Sequence, residues 1–140
     1  MTPFTLDLRP GVSVYRQILY AVKRAVIFGQ LRPGDPFPSV RALSQELKIN
    51  PNTAHKAIAA LVAEGLLEVR PGIGTLVAEV PPASRAQRAR LLERDVEPLV
   101  VEAKKLGLEL ADVLRAVEQY WHQTVDAIDD SVPPSEDKGD

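Results

Sequence analysis

Apolar residues recur along this chain with two different periods, and the changes of period mark out its elements. From Ser13 to Gln30, "SVYRQILYAVKRAVIFGQ", the residues Val14, Ile18, Ala21, Val22, Ala25 and Val26 keep the i, i+3, i+4 spacing of one helix face. Ser13 is of a type that caps a helix start, and Gly29 stands where a helix commonly stops. In "LRPGDPFP", three prolines and a glycine within eight residues predict an extended, turn-rich connection. A second helix is predicted from near Ser39, another capping residue type, to about Leu47. A third opens on Asn50 as cap, with Pro51 at a first position where a missing N–H costs nothing. Ala54, Ala57, Ile58 and Leu61 share one side of it, while Asn52, His55, Lys56 and Ala59 share the other.

After Gly65 the period changes. The runs "LLEV" and "TLVAEV", separated by "RPGIG", read as a β-hairpin. "PPAS" at 81–84 marks a linker. Beyond it Leu92, Val96, Leu99, Ala103 and Leu106 step by 4, 3, 4 and 3. Leu110, Leu114, Val117, Trp121 and Val125 form a second such stripe after Gly107. Two amphipathic helices in a hairpin fit this, with Pro98 bending the first. The terminal "DDSVPPSEDKGD" is acidic, polar and proline-containing, so disorder is expected there. The predicted fold class is mainly α with a small β wing: a winged helix-turn-helix over 1–80, a two-helix segment over 81–128 and an acidic tail over 129–140.

The order of elements assigns a chemistry. A tight turn between two helices braces the second while its outer face projects, and such a helix fits the DNA major groove. Asn52 and His55 are suited to hydrogen bonds with base edges, and Lys56 to guanine acceptors or a phosphate. Thr53 and the N–H groups at the helix start suit phosphate, as do Ser39 and Arg41 on the bracing helix. Arg70, Gly72 and Gly74 at the hairpin tip suit a neighbouring minor groove. Each of these has an ordinary explanation when taken singly: helix caps, solvated faces, turn glycines, an Arg41–Glu46 surface pair. Their joint order and spacing carry the reading.

Composition narrows the alternatives. A chain of 140 residues with 45% hydrophobic and 26% charged positions suits one globular domain with an appendage. No uncharged apolar run approaches the roughly 20 residues of a membrane span, and the N-terminus does not read as a secretory signal. The lack of cysteine removes disulfides, thiol nucleophiles and Cys-based zinc sites, which points to the cytoplasm. Residues 1–80 carry nine Lys/Arg against six Asp/Glu, and residues 81–140 eight against thirteen, so the front half is the one suited to a polyanion. Two other classes of function compete. One is a winged-helix module that binds protein or RNA. The other is an enzyme, for which Glu118, His122 and Asp126 stand four apart as a potential metal set. A solvated charged face accounts for those three more simply. Gly72-x-Gly74 lacks the remaining residues of a dinucleotide or phosphate loop, so no metal, no cofactor and no catalysis are expected.

The segments "VYRQI" (14–18), "GQLRPGDPFPSVRALSQEL" (29–47) and "INPNTAHKAIAALVAEGLLEVRPGIGTLV" (49–77) resemble the GntR family of bacterial transcriptional regulators, over about 64 residues. The resemblance implies a winged-helix DNA-binding domain that acts as a homodimer on an inverted-repeat operator, most simply as a repressor. It implies DNA contacts at Ser39, Arg41, Asn50, Asn52, Thr53, His55 and the hairpin tip near Gly72. The chain departs from the family's usual residues at Phe37, Ser44 and Pro51. Only about 48 residues separate the matched domain from the acidic tail. That length resembles the YtrA-like subfamily, whose short two-helix segment serves dimerisation. Two lone helices cannot enclose a core, so their stripes must bury against the first domain or a second copy. Leu92, Val96, Leu99, Leu114, Val117, Tyr120 and Trp121 are the interface candidates. A small-molecule effector pocket between subunits is compatible with this reading, but no residue marks a site for one.

Overall fold

The computed structural model describes Phe4 and residues 6–123, and the chain divides between Val80 and Pro81 into two compact units. In the first unit α1 (Val14–Ile27), α2 (Val40–Leu47) and α3 (Pro51–Ala63) precede an antiparallel hairpin of β1 (Leu67–Arg70) and β2 (Gly74–Val77). All three helices start where a short polar side chain can satisfy an orphan N–H. Ser13 Oγ accepts from the Arg16 N–H at 3.3 Å, Ser39 Oγ from Ala42 at 3.1 Å, and Asn50 Oδ1 from Asn52 at 2.7 Å.

The apolar stripes meet in one core. Ile18, Val22 and Ala25 of α1, Leu43 of α2 and Ala54, Ala57 and Leu61 of α3 are all but inaccessible, and Leu67 and Val77 close the core from the hairpin. Gln17 lies on the same buried side, where a polar group is costly unless paired. Its Oε1 accepts the Arg9 N–H at 2.9 Å, and its Nε2 donates to the Arg9 and Val12 carbonyls at 3.0 and 2.9 Å. The segment preceding α1 is thereby tied to it. Phe4 of that segment stacks on Phe37, with centroids 5.8 Å apart and rings parallel within 1°. Phe37 therefore fills its position with a ring partner, and Ser44 is buried with its hydroxyl donating to the Arg41 carbonyl at 3.0 Å.

The proline-rich connection does more than join helices. The Gly34 and Phe37 N–H groups donate to the Val77 and Thr75 carbonyls, and the Val77 N–H donates to Asp35, each at 2.8 Å. The connection thus lies along β2, bridging at Pro36 and Leu76, and backs the wing.

In the second unit, α4 (Arg85–Arg90) continues through a π-helical stretch (Leu91–Asp95) into α5 (Val96–Lys105), and α6 (Leu110–Trp121) follows. The disturbance expected at Pro98 falls one turn earlier. The prolyl ring has no N–H and crowds the carbonyl of Arg94, and it is the turn containing Arg94 that widens to the π form. Val125, Asp126 and the expected disordered tail lie outside the described residues. At the start of α6, Asp112 accepts from the Glu109 N–H and from Arg115, each at 2.9 Å. The backbone bond first and the arginine second hold its carboxyl below the usual carboxylate range. A lowered folded-state pKa gives stabilisation that is present above the ordinary aspartate value and lost as pH falls through the lowered one. Loosening of this helix start is therefore expected as pH falls below the ordinary aspartate range. A carboxyl titration by NMR checks it, with Asp112→Asn abolishing the acid transition.

Candidate nucleic-acid interface

The turn between α2 and α3 is Lys48, Ile49 and Asn50. Lys48 takes up a left-handed conformation, φ 57°, ψ 50°, and the Lys48 and Ile49 N–H groups both donate back to the Ser44 carbonyl, Ile49 at 3.0 Å. This closure combines the 6→1 bond of a Schellman turn with the 5→1 bond of a left-handed cap, with a lysine where glycine is usual. It fixes the direction in which α3 leaves.

Two opposite faces of α3 result. Ala54, Ala57, Ile58 and Leu61 are buried, while Asn52, His55, Lys56 and Ala59 are exposed. The exposed set combines an amide, an imidazole, an ammonium and a methyl, and it lies on the surface the sequence assigned to it. Thr53 is half-buried beside it. A groove of about 580 Å³ runs past Thr53, His55, Lys56 and Ala59 and is bounded on its far side by Tyr15 of α1. Sequence reasoning gave Tyr15 no role. It stands on the apolar side of α1, half-buried and packed against the core, so its spacing reads as core and nothing local marks its edge as lining the groove.

The backbone at the helix starts differs from expectation. The N–H groups at the start of α3 are not free for phosphate. Pro51 has none, Asn52 is capped, and Thr53 and Ala54 donate to the Asn50 carbonyl at 3.0 and 3.2 Å. Asn50 is correspondingly committed as cap through its Oδ1, with only its amide N–H₂ left to offer. The open backbone donors lie instead on α2, where the Val40 and Arg41 N–H groups have no hydrogen-bond partner among the described residues. Ser39 and Arg41 are exposed at this same helix start, so hydroxyl, guanidinium and two N–H groups gather at a positive helix end.

The wing turns through Pro71, Gly72 and Ile73, with the Ile73 N–H donating to the Arg70 carbonyl at 3.0 Å. Gly72 and Gly74 have φ values of 80° and 118°, a region that a Cβ makes strained. Both glycines are therefore required by the turn itself. Arg70 is not a free cation: its Nη2 lies 2.8 Å from the Glu68 carboxylate. The pair is exposed and worth at most about 1 kcal/mol, so a phosphate can displace Glu68. Ile73 and Val69 are both more than half exposed, making the tip more apolar than its arginine suggested.

The second unit buries little. Ala103 is its one buried residue among those described, whereas Leu92, Val96, Leu99, Leu114, Val117, Tyr120 and Trp121 are all exposed. Among the described residues no three His, Asp or Glu are placed to hold a metal ion, and Asp126 of the weighed trio lies outside them. No described helix is long and apolar enough to cross a membrane.

Residues 14–77 match the family of bacterial regulatory proteins designated gntR. The chain is 32% identical over 106 residues to the HTH-type transcriptional repressor YtrA of Bacillus subtilis, covering 75% of this chain and 82% of that one. A GntR family transcriptional regulator from Listeria monocytogenes superposes with a TM-score of 0.58 at 26% identity, over 80% of this chain and 98% of that one. The crystal structure of a transcriptional antiterminator from Listeria monocytogenes EGD-e shares the fold, with a TM-score of 0.73 over 97% of each chain at 21% identity. With a braced helix, an open polar face and a wing on one short domain, the chain belongs to the GntR family of DNA-binding transcriptional regulators.

Proposed function

We propose that two copies of this chain bind an inverted-repeat operator and repress transcription from it in the cytoplasm, each copy reading one half-site with α3. The observation that carries this reading is the α3 face itself. Asn52, His55, Lys56 and Ala59 stand exposed on a helix whose other side is locked into the core at Ala54, Ala57 and Leu61. A helix so held keeps its side chains in fixed register with base edges. Asn52 and His55 read bases, and Lys56 takes a guanine or a phosphate. Ser39, Arg41 and the open N–H groups of α2 hold the backbone. The wing tip at Gly72 and Gly74 lies in the adjoining minor groove, with Arg70 exchanging Glu68 for a phosphate. Repression is supported by the Bacillus relative, which is named a repressor.

Dimerisation rests on the second unit. The apolar side chains exposed along α5 and α6 include Leu99, Val117 and Trp121, a density that a soluble monomer rarely leaves open. A second copy of the same surface covers it, and two-fold pairing supplies two reading helices about 34 Å apart, one turn of DNA.

The division of roles is tested by two substitutions. Arg41→Ala is expected to weaken binding to operator and random duplex alike and to flatten the dependence on salt by one phosphate contact. His55→Ala is expected to cost about 1–3 kcal/mol on the operator and to relax base preference at one position per half-site. Fluorescence anisotropy on both duplexes at two salt concentrations separates them. Equal losses for both variants on both duplexes would show the assignment to be wrong.

A further inference from the structure

The change from basic to acidic charge does not coincide with the boundary between the two units. Residues 81–92 contain Arg85, Arg88 and Arg90 and no acidic residue, so the excess of positive charge runs on through residue 92. Up to that point the chain carries twelve Lys/Arg against six Asp/Glu, and from Glu93 onward five against thirteen. All three arginines are exposed, and none has an ion-pair partner among the described residues. They also stand outside residues 14–77, the stretch the family shares.

Helix physics argues against cations here. The Ser84 hydroxyl accepts from the Gln87 N–H at 3.1 Å and the Gln87 side chain accepts from Ser84 at 2.8 Å, a complete capping box that fixes the start of α4. The first turn beyond it holds no acid, and it places Arg85 at the positive end of the helix dipole. Arg85 and Arg88 are neighbours at i, i+3, a spacing at which like charges repel. The capping box uses neutral Gln87 where glutamate would serve equally and would offset the charge. A segment that keeps its own helix start unfavourable in three ways is serving something other than helix stability.

We infer that Arg85 and Arg88 contact the phosphate backbone of the duplex that α3 reads, widening the electrostatic footprint past the operator core. The inference rests on the proposed operator binding. Arg85 is eight residues beyond Val77 in the sequence, a contour of at most about 29 Å from the end of the wing strand, which is within reach of adjoining phosphates. Arginine without base-edge partners adds affinity and salt dependence but no sequence preference.

The test compares full-length protein with Arg85→Gln/Arg88→Gln and Arg85→Lys/Arg88→Lys, on a selected operator and on a random duplex of equal length. Losing two phosphate contacts lowers the slope of log K against log salt by about 1.8. Wild type is then expected to lose about tenfold more affinity than the glutamine variant between 50 and 200 mM salt. The operator-to-random ratio stays unchanged, and the lysine variant recovers most of the slope, because a phosphate contact needs charge more than shape. An unchanged slope in the glutamine variant overturns the inference, as does a loss that lysine does not restore. Wild-type protein that binds neither duplex in a salt-dependent way would instead remove the operator reading on which it stands.

Discussion

Leu114→Asp combined with Val117→Asp is expected to leave the chain folded, make it monomeric and lower operator affinity about a thousandfold. Both positions are exposed in the single chain, so neither carboxylate is forced into a core, and circular dichroism should be unchanged. In the proposed dimer the same carboxylates stand unpaired inside an apolar interface, a cost that association cannot absorb. A monomer then holds one half-site, forfeiting about 4 kcal/mol of specific binding. Sedimentation equilibrium reads the first effect and anisotropy the second. A variant that remains dimeric places the interface elsewhere, and a monomer that binds as tightly as wild type shows that pairing contributes nothing to recognition.

The other large effect concerns the core that holds the reading helix. Leu61→Ala removes a fully buried side chain on the inner side of α3, and large-to-small changes at such sites cost about 2–5 kcal/mol. Urea denaturation of the variant should show a lower midpoint with an unchanged slope. Ala59→Ser, on the opposite side of the same helix, should alter stability by less than about 0.5 kcal/mol. If the two substitutions cost the same, the inward and outward faces of α3 have been assigned wrongly.

Local features of this fold are legible in the amino-acid sequence, because their causes lie within a few residues. Ser13, Ser39 and Asn50 each cap the helix they precede, and the buried and exposed faces of α3 follow from a 3.6-residue period. The hairpin likewise follows from two apolar runs around Gly72 and Gly74. Features that depend on distant partners are not legible in this way. Nothing local marks Gln17 as the buried clasp of the preceding segment, or Phe4 as the ring that stacks on Phe37. The pairing of the proline-rich connection with β2 depends on bonds made some forty residues later in the chain, from Gly34 to Val77.

The site divides along the same line. The residue types on α3 announce its chemistry, but which N–H groups remain free depends on cap geometry. Thr53 and the N–H groups at the start of α3 read from the sequence as an anion site, but in the structure Asn50 accepts the Asn52, Thr53 and Ala54 N–H groups and Pro51 has none, leaving the open donors on α2. Arg70 reads as a cation until Glu68, two residues away on the same strand face, is seen to hold it. Lys48 shows why a turn can be tight without a glycine: two N–H groups on the Ser44 carbonyl offset the roughly 1–2 kcal/mol a left-handed residue costs.

The most direct trial of the account is selection of bound duplexes from a random pool, run in parallel with wild-type protein and His55→Ala. Wild type is expected to enrich an inverted repeat with half-site centres about one helical turn apart, and His55→Ala the same repeat with one position per half-site degenerate. Recovery of an unchanged repeat by His55→Ala, or of no inverted repeat by the wild type, contradicts the claim that this face of α3 reads the bases.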